Sequence, residues 1–473
     1  MEPMMFSSAH ARRLPFLLWL STVAAVLAFL GTGGPSPAAE TPAPRWSVGS
    51  RHVIPADAAA GTSLEIEYRS ASESIWTKSP AEAGEAGATW LVPDLKLGRY
   101  LLRAVGAKTE SNVDIIPSQR ADYHWVSIQP AAPFAARDGA GALTLNGRMW
   151  LLGGWRPSGD KTFPRKCSND VWSSVDGKNW TMVKPNTFLD ASFDASQDWE
   201  GRHTAGYVVH ENKLWIVGGD PLQGHYQPDV WSSADGKTWK HVNAGTPAPW
   251  GQRALAYTVA HDGYIWVIGG QTMPEFAPSE ERFFRDVWRS KDGIAWEEVK
   301  PAEPFWSARG MIGGAAVMNG RIWILGGGTY DTPTTKTRKF FNDVWSSADG
   351  VRWQQHTQQA PWAPRQYHDV AVFDGKLWVM GGYSGQNRKD VWYSSDGVNW
   401  YEQTKTPWKP RHAASVFVHD DSIWMVAGNN MESDVWRLRT SDAAAASAAA
   451  RLPEPGWRAP TDVPGVTEAG FKD

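Results

Sequence analysis

The sequence predicts an all-β chain: a six-bladed β-propeller closed by an N-terminal strand and preceded by a small β-sandwich-like domain. Three observations predict it. A unit with the same markers in the same order recurs six times between residues 121 and 440. The dipeptides that punctuate each unit, Asn-Gly and Asp-Gly, tolerate the positive φ that tight strand turns demand. The sixth unit lacks its last strand, and an isolated copy of such a strand stands upstream of the first unit.

The N-terminus comes first. Arg12 and Arg13 precede a charge-free run from Leu14 to Leu30, and Ser36-Pro37-Ala38-Ala39 offers a small-residue cleavage site. Residues 1–39 therefore read as a signal peptide, which predicts a secreted or periplasmic protein. The apolar run approaches spanning length, so an uncleaved segment is the one membrane contact expected. In residues 46–117, Leu64-Glu65-Ile66-Glu67-Tyr68 alternates as a strand. Leu95 to Ala104 resembles the tyrosine-corner strand of fibronectin type III domains, with Leu95 and Tyr100 one residue closer than usual. A small Ig-like β-domain is expected there. The Ala-rich and Pro-containing residues 441–473 read as a tail.

Composition narrows the function. Net charge is −3, which argues against a nucleic-acid partner. Cys167 is the single cysteine, so no intramolecular disulfide or cysteine-rich zinc site can form. Hydrophobic residues make up 42% of the chain and aromatic residues 12%, enough for packing to supply the stability.

Each repeat opens on an arginine: Arg137, Arg202, Arg253, Arg309, Arg365 and Arg411. An apolar strand ending in a tryptophan and a glycine pair follows, as in Trp378 and Gly381-Gly382, the last pair being Ala427-Gly428. Asp-Val-Trp comes next, beginning at 170, 229, 286, 343, 390 and 434, and Ser-x-x-Asp-Gly-x-x-Trp or a close variant closes five units. Asn146-Gly147, Asp262-Gly263, Asn319-Gly320 and Asp374-Gly375 predict turns between strands one and two. The Asp-Gly pairs at 176, 235, 292, 349 and 396 predict turns between strands three and four. The pattern resembles the Kelch repeat over residues 121–440. His124-Trp125-Val126-Ser127-Ile128 reads as the fourth strand missing from the sixth unit, which would close the ring without an open sheet edge.

Alternating strand direction puts the tight turns on one face and the long loops on the other. Those loops run from Trp155 to Asn169, Pro185 to Gly201, Gln271 to Arg285 and Gly328 to Asn342. Function concentrates on such loops, so that face is the candidate site. Phe134, Trp199, Trp250, Trp306, Trp362 and Trp408, each three residues before an arginine, read as wedges between blades. The six arginines are the candidate ligand-binding residues, because guanidinium groups pair bidentately with carboxylates. Trp155, an unassigned loop aromatic, joins them as a surface for stacking on a sugar.

The expected function is recognition of an acidic or polyhydroxylated glycan, or of a protein or peptide ligand, with no cofactor and no metal. A periplasmic sugar epimerase or mutarotase of the sialic-acid type is the enzymatic alternative that the Kelch resemblance implies. It would use Arg309, Arg365 and Arg411 to clamp, and Glu200, Asp369 or His368 to move protons. A third reading is weaker. Tyr367-His368 resembles the Tyr-His pair of galactose oxidase, with His412 or His203 as a second histidine, but no motif around Cys167 supports the thioether-linked tyrosine of that copper-radical site. Tyr367 and His368 are therefore expected to pack within the repeat.

Overall fold

The computed structural model describes residues 43–53, 65–84, 87–105, 110–156, 167–220, 226–272, 280–310, 314–332 and 334–440. The signal-peptide and tail readings lie outside them. The described residues form one compact unit.

Nine strands precede the repeats: β1 (Arg45–Ser47), β2 (Arg51–Val53), β3 (Glu65–Ser70), β4 (Thr77–Pro80), β5 (Glu82–Gly84), β6 (Gly87–Leu91), β7 (Gly98–Ala104), β8 (Ser111–Ile116) and β9 (Tyr123–Gln129). The first eight build a five-stranded sheet, β1-β8-β7-β3-β4, and a three-stranded sheet, β2-β6-β5. Period-two alternation turns Ile66, Tyr100, Leu102, Val113 and Ile115 inward around Trp90. Tyr100 is buried in β7.

Six four-stranded antiparallel sheets follow. The first holds β10–β13 (Gly141–Leu145, Arg148–Trp155, Cys167–Ser174, Thr181–Lys184) and the second β14–β17 (Gly206–His210, Lys213–Val217, Val230–Ser233, Lys240–His241). The third is β18–β21 (Tyr257–His261, Tyr264–Ile268, Val287–Ser290, Trp296–Val299) and the fourth β22–β25 (Ala315–Met318, Arg321–Thr329, Lys339–Ser347, Gln354–Thr357). The fifth is β26–β29 (Asp369–Phe373, Lys376–Met380, Val391–Ser394, Tyr401–Glu402). The sixth joins β30–β32 (Ser415–Val418, Ile423–Val426, Val435–Thr440) to β9, in the order β30-β31-β32-β9.

First strands of consecutive sheets are neighbours, and β30 neighbours β10, so the six run in cyclic order. They enclose a channel of about 240 Å³ lined largely by small residues, among them Ala140, Ala205, Gly206, Ala256, Ala315 and Ala414. Small side chains let the first strands approach one another at the axis.

The turn chemistry is partly as expected. Asn146, Asp262, Asn319 and Asp374 all have φ near +50°, each followed by a glycine also at positive φ. The Asp-Gly pairs between third and fourth strands behave differently. Only their glycine is left-handed, as in Gly177 at φ 67°. Asp176 Oδ1 instead accepts from the backbone N–H groups of Lys178 and Asn179 (2.9 and 2.8 Å). Ser174 Oγ takes the Gly177 N–H at 2.8 Å, and the Trp180 indole N–H closes on the Gly177 carbonyl at 2.9 Å. The side chains of Ser and Asp satisfy the loop's backbone donors, so it is a wider, self-bonded loop and not a two-residue hairpin turn.

The wedge aromatics are buried, and each packs edge-on against its own unit's fourth-strand tryptophan: Phe134 on Trp180, Trp199 on Trp239, Trp250 on Trp296, Trp306 on Trp353 and Trp362 on Trp400. Trp408 finds its partner on β9, in Trp125, with ring centroids 5.8 Å apart. The N-terminal strand thus supplies the aromatic that the sixth unit lacks.

The smaller sheets are tied to the fifth sheet's last loop. Asn399 Oδ1 accepts from Ser47 N (2.9 Å), and Asn399 Nδ2 donates to the Arg45 carbonyl (3.1 Å). Replacing Asn399 by alanine leaves the buried Ser47 N–H unpaired, at a cost of about 1–3 kcal/mol. Limited proteolysis of Asn399→Ala is expected to cut within residues 43–117 sooner than in the unmodified chain, with the sheets of residues 121–440 persisting.

Candidate functional site

The six arginines do not form a solvent-facing ring. Each is buried, at 0–3% exposure, and paired with the aspartate of its own Asp-Val-Trp: Arg137 with Asp170, Arg202 with Asp229, Arg253 with Asp286, Arg309 with Asp343, Arg365 with Asp390 and Arg411 with Asp434. Arg365 shows the pattern. Nη1 and Nη2 reach Asp390 Oδ1 and Oδ2 at 2.9 and 2.6 Å, and Nη1 also donates to the Gly381 carbonyl at 2.7 Å. The Trp392 indole N–H completes the carboxylate at 2.7 Å. This corrects the expectation for Arg137, Arg202, Arg253, Arg309, Arg365 and Arg411 as ligand-binding residues. A guanidinium satisfied in this way has little left to offer a ligand. The glycine pair is part of the device: at φ 56°, a Cβ on Gly381 would lie 2.7 Å from the Arg411 carbonyl of the next unit.

The residues one position along are arranged differently. The residues directly after the arginines are Asp138, His203, Ala254, Gly310, Gln366 and His412; those after the glycine pairs include Trp155, Asp220, Gln271, Tyr383 and Asn429. Isolated bridges join Asp138 to Trp155, His203 to Asp220, Ala254 to Gln271 and Gln366 to Tyr383, and Asn429 N–H donates to the His412 carbonyl at 2.9 Å. The next residue is left-handed in Gly139, Thr204, Leu255, Tyr367 and Ala413, with φ between 48° and 64°. That conformation costs about 1–2 kcal/mol in a non-glycine residue, and its recurrence marks it as part of the scaffold.

At this mouth lies a cavity of about 310 Å³, lined by Asp138, Trp155, His203, Tyr330, Arg338, Tyr367, Tyr383, His412, Ala413 and Asn429. Trp155 stands in the wall, where a loop aromatic was expected. Tyr367, read from sequence as packing, also faces the cavity and stacks on His412 with centroids 5.2 Å apart. His368 goes the other way, buried with Nε2 2.7 Å from the Leu325 carbonyl. Asp369 lines the channel beneath the mouth, and Glu200 accepts a hydrogen bond from Gln227. Glu200, His368 and Asp369 are therefore absent from the cavity wall.

The wall is electrostatically uneven. His203 lies between Asp138 (Nε2 to Oδ1, 3.7 Å) and Asp220 (Nδ1 to Oδ1, 3.6 Å). Burial alone would lower its pKa, but the close approach and charge of Asp220, with the charge of Asp138, outweigh burial and raise it above 6.5. Burial raises the carboxyl of Asp138. His412 is pushed down to about 3 by burial, then by the charges of His203 and Arg338. On the far side the Arg338 guanidinium lies over the Tyr330 ring at 3.7 Å and near Tyr383 at 5.6 Å, with its Nε bonded to Asp331.

A pH dependence follows. His203 has a raised folded pKa, so its stabilisation is complete below 6.5 and is lost as pH rises through that folded value. His203→Gln is expected to flatten the fall in melting temperature across that neutral-to-alkaline window, measured by scanning calorimetry; an unchanged slope would contradict the assignment.

The sequence signal for these positions was their variability. Of the residues that break the sixfold repeat at these two places, Asp138, Trp155, His203, Tyr383, His412 and Asn429 line the cavity, whereas Asp220, Ala254, Gln271, Gly310 and Gln366 do not.

Comparison with known proteins agrees with the architecture. The Kelch motif model matches residues 364–393. Over 202 residues, 40% of this chain, the sequence is 25% identical to alpha-scruin of Limulus polyphemus, and the match spans 20% of that relative. Motif match, relative and repeated four-stranded antiparallel sheets together support a Kelch β-propeller.

Proposed function

We propose that this protein is an exported recognition module. On this reading it is a six-bladed Kelch propeller, closed by β9 and preceded by a small Ig or fibronectin III-like domain, that binds its ligand in the mouth cavity. The observation that carries the reading is the contrast between two layers. The arginine–aspartate layer repeats in every unit, whereas the layer above it repeats in none and encloses a cavity with aromatic walls, the Asp138 carboxylate and a guanidinium. Packing suffices to explain the first layer; a ligand without sixfold symmetry explains the second. Kelch repeats generally serve protein interaction, which favours a protein segment as ligand, with an acidic or polyhydroxylated glycan as the other class that Trp155, Tyr383 and Arg338 suit.

The test is a binding screen of the full chain against a displayed peptide library and an acidic-glycan and monosaccharide panel, repeated with Tyr383→Ala and Arg338→Ala. Hits weakened at least about tenfold, or ~1.4 kcal/mol, by either variant support the mouth as the site. Hits indifferent to both place binding elsewhere. Export is tested separately, by N-terminal sequencing of the protein recovered from the cell exterior or envelope.

A second reading, sugar epimerisation or mutarotation, is favoured by one feature: His203, between two carboxylates at the cavity wall, is placed to move a proton. Anomer exchange followed by NMR would detect it, and exchange that survives His203→Asn would exclude that residue as the proton carrier.

A further inference from the structure

The mouth cavity has one unsatisfied demand. Asp138 is 4% exposed. Its Oδ2 accepts from Asn429 Nδ2 at 2.8 Å, but Oδ1 has no hydrogen-bond partner. His203 Nε2 stands 3.7 Å from it, beyond hydrogen-bond range. A buried carboxylate oxygen left in this way is costly, and a donor brought by a ligand would remove the cost.

Charge selects the donor. Asp138 and Asp220 flank a single imidazole, so even with His203 protonated this end of the cavity keeps an excess negative charge. Arg137 and Arg202, which precede Asp138 and His203 in the chain, are already paired with Asp170 and Asp229. A hydroxyl would fill the hydrogen bond and leave the charge; an ammonium group answers both. Arg338 enters from the fourth sheet, three places from the first in the cyclic order. Its charge is paired with Asp331, but among the described residues only its Nε is bonded, which leaves the Nη donors for a carboxylate. Between the two ends the walls are Trp155, Tyr330, Tyr367 and Tyr383, which suit an apolar body.

We infer that the ligand of this cavity carries an ammonium group and a carboxylate at opposite ends of a short apolar body, the ammonium seated on Asp138 Oδ1 and the carboxylate on Arg338. The inference rests on the mouth being the binding site. Such a pair of groups can come from a free ω-amino carboxylate or from lysine-type and glutamate-type side chains of a peptide.

Isothermal titration of the full chain with a homologous series of ω-amino carboxylates tests it, alongside the matched n-alkylamines and n-alkanoates and short peptides bearing a lysine–glutamate pair. One chain length, or one peptide spacing, is expected to bind at least about tenfold more tightly than either single-headed homologue. Asp138→Asn is expected to reduce that affinity to the alkanoate level, and Arg338→Gln to the alkylamine level. Preference for the free series or for the peptides identifies the source. Single-headed compounds binding as tightly as double-headed ones would overturn the inference. Binding of a neutral sugar lost in Tyr383→Ala, with no binding of the zwitterions, would also overturn it while leaving the mouth as the site. If no probe of any class is sensitive to Tyr383→Ala, the recognition reading falls as well. Should Asp138→Asn fail to fold, the comparison of single-headed and double-headed ligands on the unmodified chain decides alone.

Discussion

Replacing Arg137 with alanine is expected to lower the unfolding free energy by roughly 3–5 kcal/mol, because it strands a buried carboxylate. Asp170 receives both Nη groups of Arg137 at 2.7 and 2.9 Å, and the two side chains are 0% and 6% exposed. Burial alone would raise the pKa of Asp170, yet the charge and hydrogen bonds of Arg137, with bonds from Ser168 and Trp172, hold it down at about 2. Its stabilisation is therefore complete above the ordinary aspartate pKa and is lost as pH falls through about 2. Urea unfolding at neutral pH measures the loss. The double variant Arg137→Leu with Asp170→Leu should recover part of it, since it removes both charges and leaves neither stranded. A loss below about 1 kcal/mol for Arg137→Ala would mean that the pair is no more than an exposed ion pair in effect.

Deleting residues 1–130 is the second large perturbation. It removes β9, which pairs with β32 from Tyr123 against Thr440 to Gln129 against Val435. It also takes away Trp125, the edge-on partner of Trp408. The sixth sheet would then end on β32 with an unpaired row of backbone donors and acceptors, a template for pairing with another chain. The truncated chain is expected to aggregate or to elute as a dimer or larger on size exclusion, whereas adding back a peptide covering residues 119–133 should restore the monomer. A soluble, cooperatively melting monomer without that peptide would show that the ring does not depend on the N-terminal strand.

Much of this architecture was legible because it repeats. Asn146-Gly147 and Asp374-Gly375 announce their turns through residues that accept positive φ, and the stray His124-Trp125-Val126 strand announced its pairing by lacking a unit of its own. The site was legible only in outline. The chemistry that would suit Arg365 to a ligand carboxylate suits it equally to Asp390 of the same unit, and pairing with a partner already in the chain prevails. Asp138 and His203 carry no motif; their direction depends on left-handed backbone at Gly139 and Thr204. At Thr204 that conformation runs against residue preference, so nothing in the local sequence marks it. Asp176 misled for a related reason, since Asp-Gly suits both a tight hairpin and a loop whose side chain binds its own backbone.

The pairing of β9 with β32 also sets an order of events during synthesis. Trp125 emerges from the ribosome before any of the six sheets exists, and its partners on β32 are among the last residues made. Until then the earliest strand of the ring has no permanent place, and the nascent chain carries an aromatic segment that has to be kept from other surfaces. Completion of the ring is then a single late event that joins its first strand to its last, so a ribosome that stalls before Val435 leaves every sheet already made with its circle open.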